Sequence, residues 1–106
     1  MINAVFFQHS SGLYNGFSIS GHAGFEEEGL DIVCAGVSSA VMFASNLITE
    51  TFALPAEVVV DENLVALRGK VIDNVLSCVI QALREHLQQL QQDFPDCMQI
   101  QTSFET

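Results

Sequence analysis

Thiol-nucleophile chemistry needs a cysteine and a base, most often histidine. Residues 21–39, GHAGFEEEGLDIVCAGVSS, carry one of each. His22 sits in a glycine-punctuated segment, and Cys34 follows twelve positions later, where an apolar helix is expected to begin. A neutral imidazole beside a thiol can take its proton and later return it to a leaving amine. A cysteine in the first turn of a helix lies near backbone N–H groups without intrahelical acceptors and near the positive end of the helix dipole. That setting favours the thiolate, which is the nucleophilic form. The same N–H groups can hold an oxyanion.

Three further features support this pair. Asp31 precedes the apolar run and is expected as the N-cap, which places Cys34 at the third helical position. The Asp31 carboxylate has a second reading, as a third group that orients or stabilises the His22 imidazolium. Ser38 lies one turn after Cys34 on the same helix face, where it can line the site or hydrogen-bond the sulfur. Gly21, Ala23, Gly24 and Gly29 make residues 21–30 a permissive loop, and Glu26, Glu27 and Glu28 keep it solvated. Loops of this length in small domains are often functional.

Other residues of the same types read differently. Cys78, between apolar neighbours in a later helix, is expected in the core, and Cys97 follows Pro95 with no helix start to activate it. His86 falls opposite an apolar stripe and is expected in solvent, and His9 lies at a loop edge. No zinc-ligand spacing, phosphate-binding glycine loop or dinucleotide fingerprint is present, so no metal or cofactor is expected.

The elements that must position this pair follow from hydrophobic periodicity. Ile2–Gln8 and Leu13–Ser20 read as strands joined by a Ser-Ser-Gly turn, with Leu13, Phe17 and Ile19 on one face. A helix over about Ile32–Thr51 presents Val33, Val37, Val41, Ala44 and Ile48 on one stripe. Glu57–Asp61 and Leu64–Gly69 read as a hairpin. A second helix over about Val71–Asp93 recurs at three- and four-residue steps through Ile72, Val75, Leu76, Val79, Ile80, Leu83, Leu87, Leu90 and Phe94. Cys97–Phe104 reads as a last strand. The expected fold is α+β in ββ-α-ββ-α-β order, two helices packed on an antiparallel or mixed sheet, as one domain over residues 1–106.

Composition narrows the function classes. Three basic against thirteen acidic residues give a formal net charge of −10. That argues against nucleic acid and anionic membrane surfaces and favours a basic protein partner. No apolar run is expected to reach the ~18–20 residues of a membrane span. The N-terminus lacks the basic and then apolar pattern of a signal peptide, so a cytoplasmic setting with reduced thiols is expected. Apolar residues make up 49% and charged residues only 15%, which leaves apolar surface for a partner chain and makes a homodimer reasonable.

At GHA, the glycine-containing loop, DIVCA and VS, the sequence resembles the ribosomal-processing cysteine protease (Prp) family, and the likeness spans nearly the whole chain. The resemblance implies an endopeptidase that removes an N-terminal extension from the twenty-seventh large-subunit ribosomal protein. It implies Cys34 as nucleophile and His22 as general base, with Asp31 as a less secure third member. It further implies a homodimer and a loop between His22 and Asp31 that orders around substrate. Two other readings stand beside it: a non-enzymatic ribosome-assembly or protein-binding module, and a thiol-dependent hydrolase of small esters.

Overall fold

A computed structural model of the chain describes residues 1–21 and 30–105, without the side chains of Leu30 and Asp31. The elements run β1 (Ile2–His9), β2 (Tyr14–Ser20), α1 (Leu30–Asn46) with a π turn (Leu47–Thr51), β3 (Ala56–Asp61), β4 (Leu64–Gly69), α2 (Asn74–Asp93) and β5 (Met98–Glu105). They follow the expected ββ-α-ββ-α-β order. The strands form one sheet in the order β3-β4-β2-β1-β5. All neighbours are antiparallel except β1 and β5, which are parallel, so the sheet is mixed.

Strand alternation decides which face the helices cover. Ile2, Ala4 and Phe6 of β1 pair in register with Met98, Ile100 and Thr102 of β5, and Phe6 faces Phe17 of β2, which faces Leu67 of β4. Ile2, Ala4, Phe6, Phe17, Ile19, Leu67 and Met98 are buried in a single cluster. The helices complete it with Val33, Val37, Val41, Ala44 and Ile48 from α1 and its π turn, and with Leu76, Ile80, Leu83 and Leu87 from α2. The Phe6 and Phe17 rings lie 6.5 Å apart at a tilted angle, one of the favoured aromatic arrangements.

Among the described residues no helix covers the opposite face of the sheet, and the Arg68 side chain crosses it. Arg68 of β4 stacks over the Phe7 ring at 4.0 Å and donates from Nη1 to both carboxylate oxygens of Glu105 at 2.7 and 2.8 Å. Gly16 stands between them in the sheet. A Cβ there would lie 3.3 Å from Arg68 Cγ and would run into the Leu67 carbonyl oxygen. The pair is exposed enough to water that its ionic part contributes only ~0–1 kcal/mol.

The structure corrects several expected boundaries. Helix α1 begins at Leu30, so Asp31 is the second helical residue and not the N-cap, and Cys34 is the fifth and not the third. The last turn of the α1 region widens to a π turn, in which Phe52 N–H donates to the Leu47 carbonyl. Helix α2 starts at Asn74, not Val71, because the Asp73 carboxylate accepts from Leu76 N–H at 3.0 Å and caps it. Val71 and Ile72 are left outside and exposed.

Cys78 is exposed, not in the core. The buried stripe of α2 instead includes Ser77, whose hydroxyl accepts from Tyr14 N–H at 2.9 Å and ties the helix to β2. The expected lack of a span-length apolar run is also corrected. Ile32–Thr51 has a mean hydropathy of 1.7 over helix long enough to cross a membrane. Here one stripe of that stretch is used in the domain core.

Ile80 lies fully buried where α2 meets the core, whereas its neighbour Gln81 is exposed. Ile80→Ala is expected to lower unfolding free energy by about 2–5 kcal/mol, and Gln81→Ala to change it by less than ~0.5 kcal/mol, measured by urea denaturation.

Candidate active site

Four chain segments meet at one end of the sheet. β1 enters there at Ile2, whose N–H donates to the Cys97 carbonyl at 2.9 Å just before β5. β2 leaves there at Ser20, which pairs with Asn3 of β1 and Leu64 of β4. The next residue, Gly21, has φ +82° and donates its N–H to the Asn63 carbonyl at 3.2 Å, in the turn between β3 and β4. A Cβ on Gly21 would run into the Met1 carbonyl oxygen. Only glycine accepts this backbone angle without strain and this approach without a clash.

Helix packing brings the start of α1 to the same end. α2 ends beside β5, with Phe94 N–H donating to the Leu90 carbonyl and Cys97 N–H to the Phe94 carbonyl. Gly36 of α1 lies against Leu90, since a Cβ there would sit 3.7 Å from Leu90 Cδ1. At the other end, Phe43 and Leu47 line a cleft with Asn74, Val75 and Cys78. The two helices therefore run antiparallel, and the first turns of α1 lie over the sheet end that holds Gly21. Cys34, two residues before Gly36, is half-buried and packs against the core.

Helix geometry then sets what surrounds the thiol. The N–H groups of Leu30 to Val33, the first four described helical residues, have no i−4 acceptor among the described residues of the helix. Helical side chains lean toward the N-terminus, so the Cys34 side chain is tilted over that first turn even from the fifth position. Asp31 is the second residue of the helix. Ser38 is half-buried one turn further on. His22, Ala23, Gly24 and Gly29 lie outside the described residues, as does the side chain of Asp31.

The other cysteines and histidines separate from this end or differ in setting. His9 is at the far end of β1, where its Nδ1 accepts from Ser11 N–H at 3.1 Å and lies 2.8 Å from the Ser11 hydroxyl. His86 is exposed, as expected, and lines the interhelical cleft. Cys97 is half-buried at the start of β5. Sequence reasoning did not find the contribution of Asn63, whose carbonyl fixes Gly21. The Asp-Glu-Asn turn was legible, but its contact with residue 21 depends on the pairing of β2 with β4.

The family model described as cysteine protease Prp matches residues 1–99. The chain belongs to this family. It is thus a cysteine protease of the Prp family, and Cys34 lies in the matched region. Among solved structures, the S. aureus ribosomal processing protease Prp in complex with a substrate peptide aligns with a TM-score of 0.87 at 20% identity, covering 97% of this chain and 100% of that one. A Streptococcus mutans protein aligns with a TM-score of 0.88 at 24% identity, covering 99% and 96%. These likenesses show that the Prp fold is shared. No match was found among curated proteins.

Gly12 and Gly21 both have positive φ, but a Cβ on Gly12 meets only open space. Gly12→Ala should cost about 1 kcal/mol from backbone strain alone. Gly21→Ala should cost measurably more in chemical denaturation, because the Met1 carbonyl must also move. Equal costs would show that the sheet end yields freely.

Proposed function

We propose that this Prp-family protease removes an N-terminal extension from a basic large-subunit ribosomal protein, the twenty-seventh, with Cys34 as nucleophile and His22 as general base and acid. The observation that carries this reading is the placement of the Cys34 helix start at the sheet end from which the chain passes through Gly21 into His22. The S. aureus relative bound to a substrate peptide is described as a ribosomal processing protease. The net charge of −10 suits a basic substrate.

In this mechanism the Cys34 thiol proton passes to the His22 imidazole as sulfur attacks the scissile carbonyl carbon. First-turn amides of α1 receive the resulting oxyanion. Collapse of the tetrahedral adduct breaks the C–N bond, and the imidazolium protonates the departing amine. Water, deprotonated by His22, then hydrolyses the thioester and restores the thiol. Asp31 serves either to complement the helix dipole or to orient the imidazolium. Ser38 lines the site, and the substrate loop is the segment that contains Gly21, Ala23, Gly24 and Gly29.

The reading extends to a cytoplasmic homodimer. Phe43 is 70% and Met42 62% exposed on α1. The cleft of about 910 Å³ between the helices is lined by Gly36, Ala40, Phe43, Leu47, Val79 and their neighbours, with no Asp, Glu, Lys or Arg among its described lining residues. A face without charge is where so acidic a chain can meet its own copy without repulsion. In sedimentation velocity, Phe43→Glu is expected to convert a dimer to monomer. A dimer unaffected by that change would place the interface elsewhere.

Cys34→Ala is expected to abolish cleavage of the extended ribosomal protein while leaving the thermal melt unchanged. Retained cleavage would sink the assignment. Alkylation separates the non-enzymatic reading: Cys34 should label faster than Cys78 or Cys97 below the ordinary thiol range of ~8.5, and lose that advantage in His22→Ala. Uniformly slow labelling would favour a binding module. Turnover of small esters without peptide cleavage would favour the ester hydrolase.

A further inference from the structure

β3 is an edge strand with an unusual surface. Among the described residues no strand lies outside it, so one row of its backbone N–H and C=O groups has no sheet partner. Val58, Val59 and Val60 are 41%, 54% and 73% exposed. Edge strands are ordinarily blunted by charged side chains, proline or a bulge, because bare edges pair with other chains. Within Ala56–Asp61 β3 has no lysine, proline or bulge, only the carboxylates of Glu57 and Asp61, and its pairing with β4 runs in unbroken register from Ala56↔Gly69 to Asp61↔Leu64.

Charge selects what this edge can accept. Glu57 and Asp61 flank the valines, and Glu62 follows in the turn. Arg68, the register partner of Glu57, is committed across the sheet to Glu105. Lys70 lies toward the opposite end, where its N–H donates to the Pro55 carbonyl. A second copy adding its own β3 antiparallel about a two-fold axis through Val59, the register that pairs all three valines, would set Glu57 against Asp61, like charges directly across a strand pair, which is destabilising. An extended peptide rich in lysine or arginine meets no such penalty.

Position ties the edge to the site. The Asp61 end of β3 is the sheet end that holds Gly21, through Asp61↔Leu64 and Leu64↔Ser20. Strands are spaced ~4.8 Å apart, so a strand added outside β3 would lie about 14 Å from β2, a gap that four or five extended residues span.

We propose that β3 is an exosite at which a basic, extended segment of the substrate adds as a sixth strand, a few residues away from the scissile bond. This rests on the protease reading above and adds a recognition surface to it. Backbone pairing supplies affinity, and the acidic flank supplies the preference for basic chains.

The test uses Cys34→Ala protein and a fluorescein-labelled peptide that covers the cleavage site and the adjoining basic residues of the ribosomal protein. Saturating peptide should slow amide exchange within residues 57–61 by roughly tenfold or more. Glu57→Lys combined with Asp61→Lys should weaken binding by about tenfold in anisotropy at low salt. Unchanged exchange over residues 57–61, with or without binding elsewhere, overturns the exosite. That reading needs no β3 variant, so it holds even if the charge reversal perturbs folding. Cleavage of the same peptide by wild-type protein is scored separately. Cleavage without β3 protection leaves the protease reading standing and removes the exosite. Protection without cleavage keeps β3 as a peptide-binding edge but removes the protease reading, and with it the exosite role.

Discussion

Ile2, Ala4 and Phe6 point the same way as Phe17, Ile19 and Leu67, and water must be kept from all of them. A sheet with one apolar face can be satisfied only by covering that face, and two helices are available to do it. Because both helices lie on one side and run antiparallel, the start of α1 and the end of α2 fall over one end of the sheet. The position of Cys34 is a consequence of this burial. The thiol is brought to the mouth of β2 by valines and leucines that take no part in chemistry.

The same end of the sheet is held by small, specific contacts. Gly21 is confined between the Asn63 carbonyl, which accepts its N–H, and the Met1 carbonyl, which leaves no room for a side chain. In the proposed site the nucleophile stands on a helix and the base follows a strand, so separate elements must bring them together. Strand β2 ends at Ser20, Gly21 is fixed just beyond it, and α1 starts at Leu30. Functional groups are often carried at the margins of a rigid layer, which fixes their direction.

Surfaces away from the site divide by chemistry. The interhelical cleft is apolar and uncharged, whereas the β3 edge is apolar but flanked by carboxylates. The helix-free face of the sheet is neither, being crossed by Arg68 over Phe7 toward Glu105. With only three basic residues in the chain, the engagement of Arg68 at this place leaves Glu57, Asp61 and Glu62 to set the charge along β3 and its turn.

Sequence alone determined the element order, the sheet-facing parity of β2 and the buried stripe of α1, because each depends on local period or residue type. It erred where a choice among neighbouring turns was settled by tertiary contact. Asp73 caps α2 although the apolar pattern continues back to Val71, since one side-chain acceptor at Leu76 N–H outweighs exposed apolar residues. Cys78 looked like core, but Ser77 took the inward position because Tyr14 N–H needed an acceptor. The start of α1 moved to Leu30, which shifted Cys34 from the third helical position to the fifth. Sheet order, the parallel β1–β5 pairing and the contact between Gly21 and Asn63 were decided only by the folded chain. They join residues far apart in sequence, and no local pattern records which strands will become neighbours.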